Sequence, residues 1–96
     1  MVFEYSSYRN FLRETLVERI RTNKSYSLRA FARDLNLQPS LLSEVLNARK
    51  NLSIAAAHKV SQKLNLPGTE SEYFQTLVLY ENTNDVSLKK SYFEKL

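Results

Sequence analysis

Between Leu28 and Val45 the chain reads LRAFARDLNLQPSLLSEV, and no other stretch restricts its fold as closely. Leu28, Phe31, Ala32 and Leu35 stand at i, i+3, i+4 and i+7, the spacing of one buried helical face. Ser27 precedes them as an N-cap. The periodicity stops at Asn36-Leu37-Gln38-Pro39, where Asn accepts the left-handed backbone that closes a helix and Pro suits the first position of the next one. The spacing therefore predicts two short helices meeting across a tight turn, a helix-turn-helix. Its second helix, 39 to 47, carries Leu42, Val45 and Leu46 on one face and Ser40, Ser43, Glu44 and Asn47 on the other.

One Gly and two Pro in 96 residues leave little material for hairpins, while the abundant Leu, Ala, Glu, Lys, Arg and Gln favour helix. Five Phe and six Tyr add core volume, so the chain is expected to be an all-α, compact helical bundle. The absence of Cys excludes disulfides and thiolate metal sites and suits a reducing compartment. The opening MVFEYSSYRN has no apolar signal core, and no run approaches the roughly 18 apolar residues of a membrane span. A soluble, cytoplasmic protein with no membrane partner is the expectation. Of the net charge of +4, residues 1 to 63 hold eleven Lys/Arg against five Asp/Glu, and residues 64 to 96 hold three against five. The half containing the helix-turn-helix is thus basic, as a nucleic-acid surface would be.

Residues 6 to 22 read as a first helix capped by Ser6 or Ser7, with Tyr8, Phe11, Leu12, Leu16 and Ile20 inward. Lys24 lies in the loop that follows, where a phosphate would meet it together with the N–H groups opening the next helix. The loop Ala48-Arg49-Lys50-Asn51-Leu52 sets two basic residues directly after helix 39 to 47, a position suited to phosphate. Ser53 caps a helix of about 54 to 65, which Leu66-Pro67-Gly68 ends. That boundary divides a helix-turn-helix domain, 1 to 66, from a helical extension, 67 to 96. Thr69-Glu70-Ser71-Glu72 has the pattern of a capping box. The helix after it bears Tyr73, Phe74, Leu77, Val78 and Tyr80, and a last helix over 87 to 96 bears Leu88, Tyr92, Phe93 and Leu96. So much apolar surface near a chain end predicts a homodimer or other partner held by Tyr73, Phe74, Leu77, Tyr92 and Phe93.

These residues carry a family likeness. Ser27 to Leu66 resembles the helix-turn-helix of the lambda-repressor/Cro superfamily, with Ala32 on its first helix, Leu35 and Leu37 flanking the turn, and Leu42 and Val45 anchoring the second. It differs at three places: Asn36 replaces the small turn residue, Leu28 the polar opening, and Leu46-Asn47-Ala48 the Glu-Asn-Gly that ends the second helix. Tyr8-Arg9-x-Phe11-Leu12, Tyr26-Ser27-x-Arg29-Ala30-Phe31-Ala32, Arg49-Lys50-Asn51-Leu52-Ser53 and Glu72-Tyr73-Phe74 are similar to the head of a bacterial family of regulators with a longer helical C-terminal region. Both resemblances imply transcription regulation.

Duplex DNA binding is the function these features predict, with helix 39 to 47 in the major groove. Ser40, Ser43, Glu44 and Asn47 would face bases, Glu44 accepting from cytosine N4, while Lys24, Arg29, Arg33, Arg49 and Lys50 would meet phosphates. The reading face holds an acid and no Arg or Lys, which favours the alternative of a helical protein-interaction module that does not bind DNA. Catalysis is not expected. There is no Cys, one His, no Gly-rich phosphate loop and no cluster at metal spacing, so neither a cofactor nor a small-molecule site is predicted.

Overall fold

The computed structural model describes residues 1–96 as one short 3₁₀ turn and six helices: α1 Tyr8–Thr22, α2 Leu28–Leu35, α3 Pro39–Leu46, α4 Ile54–Lys63, α5 Gly68–Asn82 and α6 Val86–Lys95. Four of them start on a side-chain cap. Ser7, Ser27, Ser53 and Asp85 accept from the backbone N–H groups of Asn10, Ala30, Ala56 and Leu88, each cap being worth about 1 kcal/mol. Helix α3 instead begins with Pro39 at its first position and has no side-chain cap.

Three helices end in the same way, on a non-glycine residue in the left-handed region. Asn36 (φ 59°), Ala48 (φ 59°) and Asn65 (φ 56°) end α2, α3 and α4. In each, the left-handed residue donates to the carbonyl three positions back, and its successor donates to the carbonyl five back: Leu37 to Ala32, Arg49 to Glu44 and Leu66 to Ser61. This Schellman pattern satisfies carbonyls that a helix end otherwise leaves open. Asn65 therefore ends α4 in place of Pro67-Gly68, and the only glycine opens α5 with an ordinary φ.

The capping box predicted at Thr69–Glu72 does not form. Helix α5 begins earlier, with the Ser71 N–H donating to the Pro67 carbonyl at 2.7 Å, so Thr69 already lies inside the first turn. The Ser71 hydroxyl is drawn elsewhere. It donates to Ser61 Oγ at 2.9 Å, and Ser61 is the one fully buried polar residue.

A single core joins 16 buried residues from Val2 to Val78. Helix α1 contributes Tyr8, Phe11 and Leu12, and α5 contributes Phe74, Leu77 and Val78. The Phe74 ring meets those of Tyr8 and Phe11 edge to face, with centroids 6.3 and 5.9 Å away. So α5 belongs to the same core as α1–α4, and the expected boundary at 66/67 is not a packing boundary. Only α6 contributes no buried residue. No helix is long and apolar enough to cross a membrane.

Candidate nucleic-acid interface

Helix α3 is held along its inner face by Leu42 and Val45, both fully buried, and by Leu46. Its C-terminal end is held by charge. Arg9 Nε donates to the Val45 carbonyl at 2.9 Å, and Arg9 Nη2 donates to the Lys50 carbonyl at 3.0 Å and to Asn51 Oδ1 at 2.7 Å. Arg13 Nη2 donates to the Leu46 carbonyl. Two guanidinium groups of α1 thus sit at the negative end of the α3 dipole, where cations are stabilising.

Arg9 is itself fixed from behind. Its guanidinium lies 4.7 Å from the Tyr8 ring centre and pairs with Glu81 at 3.6 Å. The Glu81 carboxylate also accepts from the Ser7 hydroxyl at 2.7 Å and from the Tyr8 N–H at 2.5 Å, at the opening of α1. Nearby, Asn82 Nδ2 donates to the Leu52 carbonyl at 2.8 Å, and the Leu52 N–H donates to the Tyr8 hydroxyl at 3.1 Å. Burial, outweighing that hydrogen bond, raises the Tyr8 pKa. The last turn of α5 therefore grips the loop that follows α3.

Helix α2 is tied to α1 by a second cluster. Arg19 Nη1 donates to the Tyr26 hydroxyl at 2.9 Å and pairs with Asp34 at 3.4 Å, while that hydroxyl donates to Asp34 Oδ2 at 2.6 Å. Tyr26 is held above its ordinary pKa first by burial and then by Asp34. Asp34 is held below its own, chiefly by the Tyr26 hydrogen bond and then by Arg33 and Arg19.

On this scaffold Ser40 and Asn47 are exposed, and Ser43 and Glu44 are half-buried. Asn47 Nδ2 donates to the Ser43 carbonyl at 3.0 Å. Lys24, Arg29 and Arg49 are exposed and make no ion pair. Arg33 pairs with Asp34 at 3.3 Å, and Lys50 pairs with Glu44 at 3.5 Å. Exposed pairs of this kind contribute about 0–1 kcal/mol, so either cation can exchange its carboxylate for a phosphate.

The residues assigned to a partner surface separate into two groups. Phe74 and Leu77 are fully buried in the chain's own core and cannot meet a partner. Tyr73 is also used internally, donating to the Tyr5 carbonyl at 2.6 Å with its ring 5.2 Å from that of Phe3. Phe93 remains 63% exposed, leaning on Tyr80 with ring centres 5.9 Å apart, and Tyr92 is half-buried. Arg9 and Arg13 are not among the residues that the sequence alone singles out. Their signal is that each directly follows a core position, Tyr8 and Leu12, and so borders the buried stripe.

Comparison with protein-family models, curated proteins and solved structures finds no match for the chain.

Proposed function

We propose that the chain binds duplex DNA as a transcription regulator or its DNA-binding head, with α3 entering the major groove. The observation that carries this reading is the contrast within α3. Leu42, Val45 and Leu46 are buried and the Val45 and Leu46 carbonyls are taken by Arg9 and Arg13, while Ser40 and the C-cap Asn47 are exposed and Arg29 and Arg49, near them in sequence, make no ion pair. Eight residues make a helix about 12 Å long, which spans three to four base pairs. In this reading Ser40, Ser43, Glu44 and Asn47 face base edges, and Lys24, Arg29, Arg33, Arg49 and Lys50 contact phosphates. Most of the affinity comes from those cations.

A second reading, a protein-interaction module, is favoured by the Glu44–Lys50 pair, which places an acid on the reading face and neutralises one of its cations. Binding to mixed genomic duplex at low salt separates the two. The DNA reading expects Arg29→Glu and Lys50→Glu each to weaken binding without changing the fold, Arg29→Glu more strongly because Arg29 has no carboxylate partner. Absence of binding, or binding indifferent to both reversals, selects the interaction module.

A further inference from the structure

Two surface faces of this chain share one helical spacing and carry opposite charge. On α6, Val86, Lys89, Lys90 and Phe93 stand at i, i+3, i+4 and i+7. With Tyr80 they line an open depression of about 360 Å³. Val86 is 83% exposed, so this face is uncovered apolar surface between two lysines. On α1, Phe11, Glu14, Thr15 and Glu18 stand at the same four offsets. With Met1 and Tyr5 they line a second depression, of about 390 Å³, floored by the Tyr5 and Phe11 rings.

We propose that the α6 face of one copy of this chain docks on the α1 face of another. Val86 and Phe93 meet Met1 and Tyr5, and Lys89 and Lys90 meet Glu14 and Glu18. Little holds those charges where they are. Glu14 makes no ion pair, Glu18 makes only an exposed bond to Arg21 at 2.5 Å, and Lys90 is exposed. Lys89 keeps its 2.9 Å bond to the Tyr80 carbonyl and still presents positive charge at the rim. The cations at this face are already engaged: Arg19 by Tyr26 and Asp34, Arg21 by Glu18, and the Met1 amine by Glu4 at 3.7 Å.

Charge also opposes the simpler arrangement of α6 against α6 with its axis at the lysines. A two-fold contact between identical faces would set Lys89 and Lys90 against their own copies, and like charges brought together at an interface are strongly unfavourable. The contact proposed is between unlike faces. It does not depend on DNA binding and is measured without it.

The test uses two charge-reversed forms of the full chain, Lys89→Glu with Lys90→Glu in one and Glu14→Lys with Glu18→Lys in the other. Sedimentation equilibrium of the unmodified chain is expected to show concentration-dependent association. Each reversed form alone should associate at least about tenfold more weakly, because both its faces then carry one sign. An equimolar mixture should recover association, since the acidic α6 of one form matches the basic α1 of the other. Helical circular dichroism and melting temperature, unchanged in both forms, separate loss of contact from loss of fold. An unmodified chain that stays monomeric, reversed forms that associate as before, or a mixture that stays monomeric would each overturn the proposal.

Discussion

Ala48 holds a φ of 59°, a conformation that a side chain with a Cβ adopts only against steric cost, and it does so where α3 must stop. Glycine there would remove the strain while adding freedom to the unfolded chain, so Ala48→Gly is expected to stabilise the protein by about 0.5–1 kcal/mol. Asn36 tolerates the same conformation better, and Asn36→Ala should destabilise by about 1 kcal/mol. Thermal melts resolve both, since 1 kcal/mol shifts the midpoint of a domain this size by roughly 4–8 °C. Opposite signs at two positions of nearly identical φ are the expected result. Tyr26 and Asp34 make a prediction in pH. The Asp34 pKa is lowered in the fold, so its stabilisation is present above the ordinary value of 3.8 and is lost as pH falls through the native value. That of Tyr26 is raised, so its stabilisation is present below 10.0 and is lost as pH climbs through its native value. The stability difference between the unmodified chain and Tyr26→Phe is therefore expected to be widest between these limits and to narrow at both ends, a trend followed by urea titration across pH.

At the scale of elements, α3 depends on α1 for more than apolar contact. Arg9→Ala leaves acceptors at Val45, Lys50 and Asn51 without their donor, at a cost of about 1–3 kcal/mol in chemical unfolding. Arg9→Lys should recover only part of that, because a single ammonium cannot span the fork. Helix α5 is equally bound to the rest. Phe74→Ala should cost about 3–5 kcal/mol, and a chain ended at residue 66 should lose cooperative unfolding, because it lacks three core residues and the Glu81 support of Arg9. What could be read in the sequence divides along the same line. The caps at Ser27 and Ser53, the choice of Ser6 or Ser7 for α1, the Pro39 start and the Asn36 stop are legible because each is settled within four residues of chain. The box at Thr69 is equally local in appearance, yet α5 begins at Gly68, so Thr69 lies within the first turn and does not cap it. Phe74 and Leu77 read as surplus apolar surface because nothing in the spacing of α5 announces that α1 and α4 cover both its sides. The role of Arg9 and Arg13 is not legible because their acceptors lie more than thirty residues away.

Over the whole molecule, the excess of cations falls in residues 1 to 63, and the unpaired ones among those singled out, Lys24, Arg29 and Arg49, belong to the α2–α3 region and the loops that flank it. The molecule measures 43 × 26 × 19 Å and α3 is joined to the same single core as α1, α2, α4 and α5. The function proposed above is DNA binding through phosphate contacts around α3. It is tested most directly by the salt dependence of affinity for a labelled duplex, followed by fluorescence anisotropy. Release of counterions from about five neutralised phosphates predicts a slope of log affinity on log salt near −4 to −5, and Arg29→Ala with Arg33→Ala should make it shallower by about 2. A slope near zero, or one that the double substitution leaves unchanged, would contradict the account.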